Sequence, residues 1–110
     1  MILVIDDDPR RIKGFRRALG KTLVAMDFLT ATFHLSHYAD QIATAYLDYD
    51  GVEGERIADG MARTGVCKSA KIIIHSSNYT GAIQMRDILS QAGYDVELKS
   101  FAEIVGDETD

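Results

Sequence analysis

Ile2-Leu3-Val4-Ile5 runs directly into Asp6-Asp7-Asp8-Pro9. A short apolar run of this kind is a buried strand, and it carries the acids that follow to its C-terminal tip. Open parallel sheets place their ligand sites at that edge. Crowded carboxylates repel one another, so such a cluster either faces water or holds a hard cation such as Mg2+. Asp8-Pro9 then opens a helix, with Asp8 as N-cap and proline at the first helical position.

The rest of the chain repeats the strand-then-helix unit. Ile12, Phe15 and Leu19 recur at helical spacing, Gly20 closes that helix, and Arg10, Arg11, Lys13, Arg16, Arg17 and Lys21 are expected on its solvated outer face. A second strand is expected over 22–28. A helix capped by Thr30 follows to about Asp40, with Phe33 and Leu29 inward. Residues 43–48 form a third strand, broken by Asp50-Gly51, and 53–63 a helix packing through Ile57, Ala58 and Met61. Lys71 to Ser76 is a buried fourth strand. A helix opened by Asn78 or Thr80 follows, with Met85, Ile88, Leu89 and Ala92 toward the core. Residues 94–98 make the fifth strand. Regular alternation of this kind means a parallel α/β sheet covered on both faces.

At 110 residues, with 46% hydrophobic and 26% charged residues, the chain suits a single domain. We expect it over 1–105, with an acidic tail at 106–110. A net charge of −5 argues against nucleic-acid binding. Cys67 is the one cysteine, so no internal disulfide forms. No run has signal-peptide or membrane-span character, which makes a cytoplasmic location the default expectation.

In a parallel sheet of this kind all strand tips lie on one side. Asp6-Asp7, Asp48, His75-Ser76 and Lys99 should therefore converge there. Each suits phosphoryl chemistry. Asp6 and Asp7 can bind Mg2+, with Asp50 as a further oxygen ligand. Asp48 can coordinate the ion and attack phosphorus. Ser76 can hydrogen-bond a phosphoryl oxygen, and Lys99 can neutralise another.

These segments, with Tyr46-Leu47-Asp48-Tyr49-Asp50-Gly51, Ile72-Ile73-Ile74-His75-Ser76-Ser77 and Leu98-Lys99-Ser100-Phe101, resemble the CheY-like receiver domains of two-component response regulators. The resemblance implies a flavodoxin-like five-stranded sheet of order 2-1-3-4-5. It implies Mg2+ at Asp6, Asp7 and Asp48, phosphorylation of Asp48, and Ser76 and Lys99 as the family's hydroxyl and lysine. It also implies a histidine kinase or small phosphodonor, and a protein partner.

Three features depart from the family pattern. Ser100 stands where proline usually follows the lysine, Val96 stands where an aromatic or histidine is usual, and the last helix is short or missing. His75-Ser76-Ser77-Asn78 and Asp48-Tyr49-Asp50 also look similar to a receiver-like branch proposed to process cyclic phosphates. In that branch's chemistry His75 would act as acid or base and Asn78 would contact phosphate. Adjacent strand residues face opposite ways, so His75 and Ser76 cannot both aim at one spot on an ideal strand.

The leading expectation is a stand-alone phosphoacceptor domain that binds Mg2+. The alternatives are a cyclic-phosphate or cyclic-nucleotide binding or hydrolysing protein using Mg2+, and a degenerate receiver serving as an interaction module, with a homodimer as one form of it. His34 and His37 read as a surface pair, and Cys67 as a loop thiol.

Overall fold

The computed structural model describes residues 1–106, so all of the expected tail except Gly106 lies outside the described residues. In chain order the elements are β1 (Ile2–Ile5), α1 (Pro9–Leu19), β2 (Leu23–Ala25), α2 (Phe28–His37) and β3 (Thr44–Leu47). They continue with α3 (Gly54–Thr64), β4 (Lys71–Ile74), α4 (Tyr79–Gln91), β5 (Asp95–Leu98) and α5 (Phe101–Val105). All neighbouring strands pair in parallel, in the order β2-β1-β3-β4-β5. This is the expected flavodoxin-like arrangement, with a last helix of only five residues.

Two unequal layers cover the sheet. On one face Leu3, Ile5, Ala45, Leu47, Ile72 and Ile74 meet Ala31 and Leu35 of α2, Ile57 and Met61 of α3, and Met85 and Leu89 of α4. On the other, Val4, Tyr46 and Ile73 meet Phe15 of α1, with Phe101, Ile104 and Val105 of α5 packed alongside. The second layer is thinner because α5 is short and buries no residue fully.

The helix starts follow local chemistry. The Asp8 carboxylate accepts the Arg10 N–H and Pro9 occupies the first turn, as expected for α1. Helix α2 corrects the sequence reading. Asp27, not Thr30, is its cap, and its carboxylate accepts the Thr30 N–H. The early cap cuts β2 to three residues and sets the buried stripe at Ala31 and Leu35. Leu29 and Phe33, expected inward, are 77% and 57% exposed. The first, third and fourth strands, expected to run to 6, 48 and 76, stop one or two residues earlier. Asp6, Asp48, His75 and Ser76 therefore stand just beyond the last regular residues of β1, β3 and β4.

Candidate functional site: a carboxylate row closed by an arginine

Strand register fixes which side chains meet. Val4, Tyr46, Ile73 and Glu97 stand side by side across β1, β3, β4 and β5. Side chains alternate along a strand, so the positions two residues on share that face. They are Asp6, Asp48, His75 and Lys99. Backbone hydrogen bonds carry the ladder into this row, from Asp48 N–H to Ile5, from His75 N–H to Leu47 and from Lys99 N–H to Ile74. Asp6, Asp48 and His75 are all buried. One potential ligand atom from each lies within 4.8 Å of the others.

On β4 it is His75 that takes the inward position. Its ring packs edge-on against Phe15, with centroids 4.9 Å apart. Its Nε2 lies 2.9 Å from Asp6 Oδ2. The tautomer with its hydrogen on Nε2 donates to that carboxylate and leaves Nδ1 as a bare lone pair. Nδ1 is buried and has no partner among the described residues. Ser76, the expected phosphoryl contact, lies at the margin of the cleft, and its Oγ accepts the Asn78 N–H. Asn78 Oδ1 in turn accepts the Gly81 N–H and caps α4. Lys99, expected to neutralise a phosphoryl oxygen, is half exposed, with its Nζ 3.9 Å from Glu97 Oε2.

Arg11 was expected on the outer face of α1, and the structure corrects this. Its Nε donates to Asp6 Oδ2 at 2.8 Å and its Nη2 to Asp6 Oδ1 at 2.9 Å, a two-pronged pair. Nη2 also reaches Asp48 Oδ2 at 3.2 Å, and Nη1 lies 3.2 Å from Asp8 Oδ2. Asp7 Oδ1 is 3.9 Å away. One guanidinium thus sits among four carboxylates. A signal for this was present in the sequence. A basic residue in a helix's first turn opposes the helix dipole unless an acid balances it. The first turn of α1 holds Arg10 and Arg11 and no acid of its own.

The electrostatics of the two central acids diverge. Burial raises Asp6, but the hydrogen bonds from His75 and Arg11 outweigh it and bring its pKa down to about 2. Asp48 is raised above the usual carboxylate range, first by burial and then by the charge on Asp6, with the Tyr49 N–H opposing. That N–H binds Asp48 Oδ1 at 2.8 Å. Asp7 is held against the loop after β3, close over Gly51. A Cβ there would fall 1.9 Å from Asp7 Oδ2, and the local φ of +81° also favours glycine. Asp50 is exposed and lines the same cleft as Asp48, His75 and Ser76.

No family model matches the sequence, and no curated protein matches it. Solved structures do. The receiver domain of a response regulator from Bermanella marisrubri superposes with a TM-score of 0.68 at 23% identity, over 89% of this chain and 83% of the other. The receiver domain of the putative response regulator NarL from Mycobacterium tuberculosis gives 0.67 at 23% identity, over 94% and 88%. The phosphorylated cyanobacterial phytochrome response regulator RcpA gives 0.72 at 13% identity, over 94% and 84%. The fold is that of receiver domains. Identity this low establishes the architecture, so what the cleft does must be argued from its own residues.

The remaining candidates lie away from the cleft chemistry. His34 Nε2 is 3.2 Å from the Val24 carbonyl, and His37 stacks on Phe33. Cys67 is buried with its thiol toward the Leu35 carbonyl, and burial raises its pKa. Among the described residues no helix is long and apolar enough to cross a membrane.

Proposed function

We propose that the chain is a phosphoacceptor signalling domain in which Asp48 takes a phosphoryl group. The observation that carries this reading is the setting of Asp48. It is buried at the tip of a central strand, with one oxygen fixed by the Tyr49 N–H and the other bonded by the Arg11 guanidinium. In the step, a carboxylate oxygen of Asp48 forms a bond to phosphorus while the donor's bond to its leaving group breaks in line. The product is an acyl phosphate, and the leaving group departs with the bonding electron pair.

Asp6, Asp7 and Asp48 would hold Mg2+, with Asp50 adjacent, and the ion would neutralise charge on the transferring group. The donor chemistry fits, since these are hard carboxylate oxygens at one strand edge. Arg11 already engages all three, so the fit requires its guanidinium to give way. The phosphoryl source is a histidine kinase or a small phosphodonor, and the output is altered affinity for a protein partner.

The cyclic-phosphate reading would use His75 as acid or base with Asn78 on phosphate. What weighs against it is that His75 Nε2 already bonds the Asp6 carboxylate and its Nδ1 is buried, while the Ser76 and Asn78 side chains are positioned by accepting N–H groups at the start of α4.

The test is intact-mass measurement after incubation with Mg2+ and acetyl phosphate. A phosphoryl mass gain that is lost in Asp48→Ala supports the proposal. No gain, or a gain that survives in that variant, contradicts it. Cyclic nucleotide opened by the wild type but not by His75→Ala would favour the second reading.

A further inference from the structure

We propose that Arg11 is a tethered counter-ion that competes with divalent cations, so that the pocket holds either the guanidinium or a metal ion. The inference rests on the phosphoacceptor reading only in taking Mg2+ as the relevant ion. The claim itself concerns Arg11.

Three observations carry it. First, the guanidinium already engages the groups that would hold the ion. It grips both oxygens of Asp6, bonds Asp48 Oδ2, and lies 3.9 Å from Asp7. Second, Asp6 has no idle oxygen. Oδ1 accepts the Asp8 N–H as well as Arg11 Nη2, and Oδ2 faces both Arg11 Nε and His75 Nε2. A divalent ion cannot be coordinated by Asp6 while this fork is closed, because two cations would share the same lone pairs. Third, Arg11 has a way out. Its side chain is 35% exposed and sits on the first turn of α1, next to Arg10, whose side chain is 93% exposed. Ile12 and Phe15 are buried and anchor the helix, so the arginine can change rotamer without moving α1. With Arg11 turned out, four carboxylates remain around one small volume, and their mutual repulsion favours a doubly charged ion.

The arrangement makes metal entry a two-state side-chain event at the start of α1. In either state a cation lies against Asp6, which keeps that buried carboxylate paired. The arginine turned out would join the basic surface of α1, so loading the pocket would also alter that helix's outer charge.

The experiment is calorimetric titration of MgCl2 into the wild type, Arg11→Gln and the surface control Lys13→Gln. Mg2+ should bind Arg11→Gln about tenfold or more tightly than the wild type, with Lys13→Gln within about twofold. Equal or weaker binding by Arg11→Gln, or no binding by any form, overturns the proposal. Should Arg11→Gln fail to fold, the wild type still decides. NMR of the Arg11 Nε–H signal during the same titration should show its protection from solvent exchange lost as Mg2+ binds. Protection that persists at Mg2+ saturation, or through a titration in which no Mg2+ binds, overturns it. Failure of Asp48 to accept phosphate while this competition is observed would sink the functional reading and leave the role of Arg11 standing.

Discussion

At the scale of single residues, the two buried carboxylates do opposite work. Asp6 is held ionised by Arg11 and His75 and ties α1, β1 and β4 together. Asp48 is held in a form that disfavours its own charge. A carboxylate whose folded pKa lies above its unfolded value costs stability once pH exceeds that range. Replacing Asp48 by Asn should therefore raise stability at neutral pH by about 1 kcal/mol while removing phosphate acceptance. Urea unfolding of the two proteins checks this, and a loss of stability would contradict it. Here the sequence was informative and incomplete. Asp6, Asp48 and His75 were legible because strand tips share one edge. The position of Arg11 was not read, since a basic residue near a helix start usually belongs to a solvated face, and only its opposition to the helix dipole marked it. The choice between His75 and Ser76 was left open by sequence, because it turns on where β4 ends.

At the scale of elements, close approach around Asp48 makes its own demands. Gly54 starts α3 directly against the strand tip, and a Cβ there would lie 2.2 Å from the Asp48 carbonyl oxygen. Gly54→Ala should cost about 1–3 kcal/mol by forcing the β3–α3 connection apart. Gly60, mid-helix with open space around it, is the control. Gly60→Ala should be neutral or stabilising by up to about 1 kcal/mol. Thermal unfolding of the pair reads both, and similar losses in the two would refute the packing argument. Helix periodicity in the sequence located α1, α3 and α4 through Phe15, Ile57 and Met85. It misplaced the buried face of α2. Leu29 and Phe33 are apolar too, so periodicity alone does not choose between them and Ala31 and Leu35, which pack into the core.

At the scale of the whole molecule, the thin α1–α5 layer and the acidic pocket set the weak points. The Asp6 pKa falls from 3.8 to about 2 on folding. A depressed carboxylate contributes stability above its unfolded value and loses it as pH falls through the folded one. About 2 kcal/mol should therefore disappear between pH 4 and pH 2, roughly. Asp6→Asn should abolish that share of the acid sensitivity, measured as urea midpoint against pH. An unchanged slope would show that Asp6 is not the titrating group. The parallel sheet covered on both faces was legible in the sequence from strand–helix alternation, whereas the order of its five strands came only from the resemblance to receiver domains. The shortness of α5 was expected from Ala102 to Val105, the one stretch after Phe101 suited to a helical turn, and Gly106 closes it.

The role of Asp48 is tested most directly by where a phosphoryl group arrives. After incubation with acetyl phosphate and Mg2+, borohydride trapping followed by peptide mass spectrometry should place the adduct on Asp48 and nowhere else. A phosphoryl group on His75, or a protein that stays unmodified with Mg2+ bound, would contradict it.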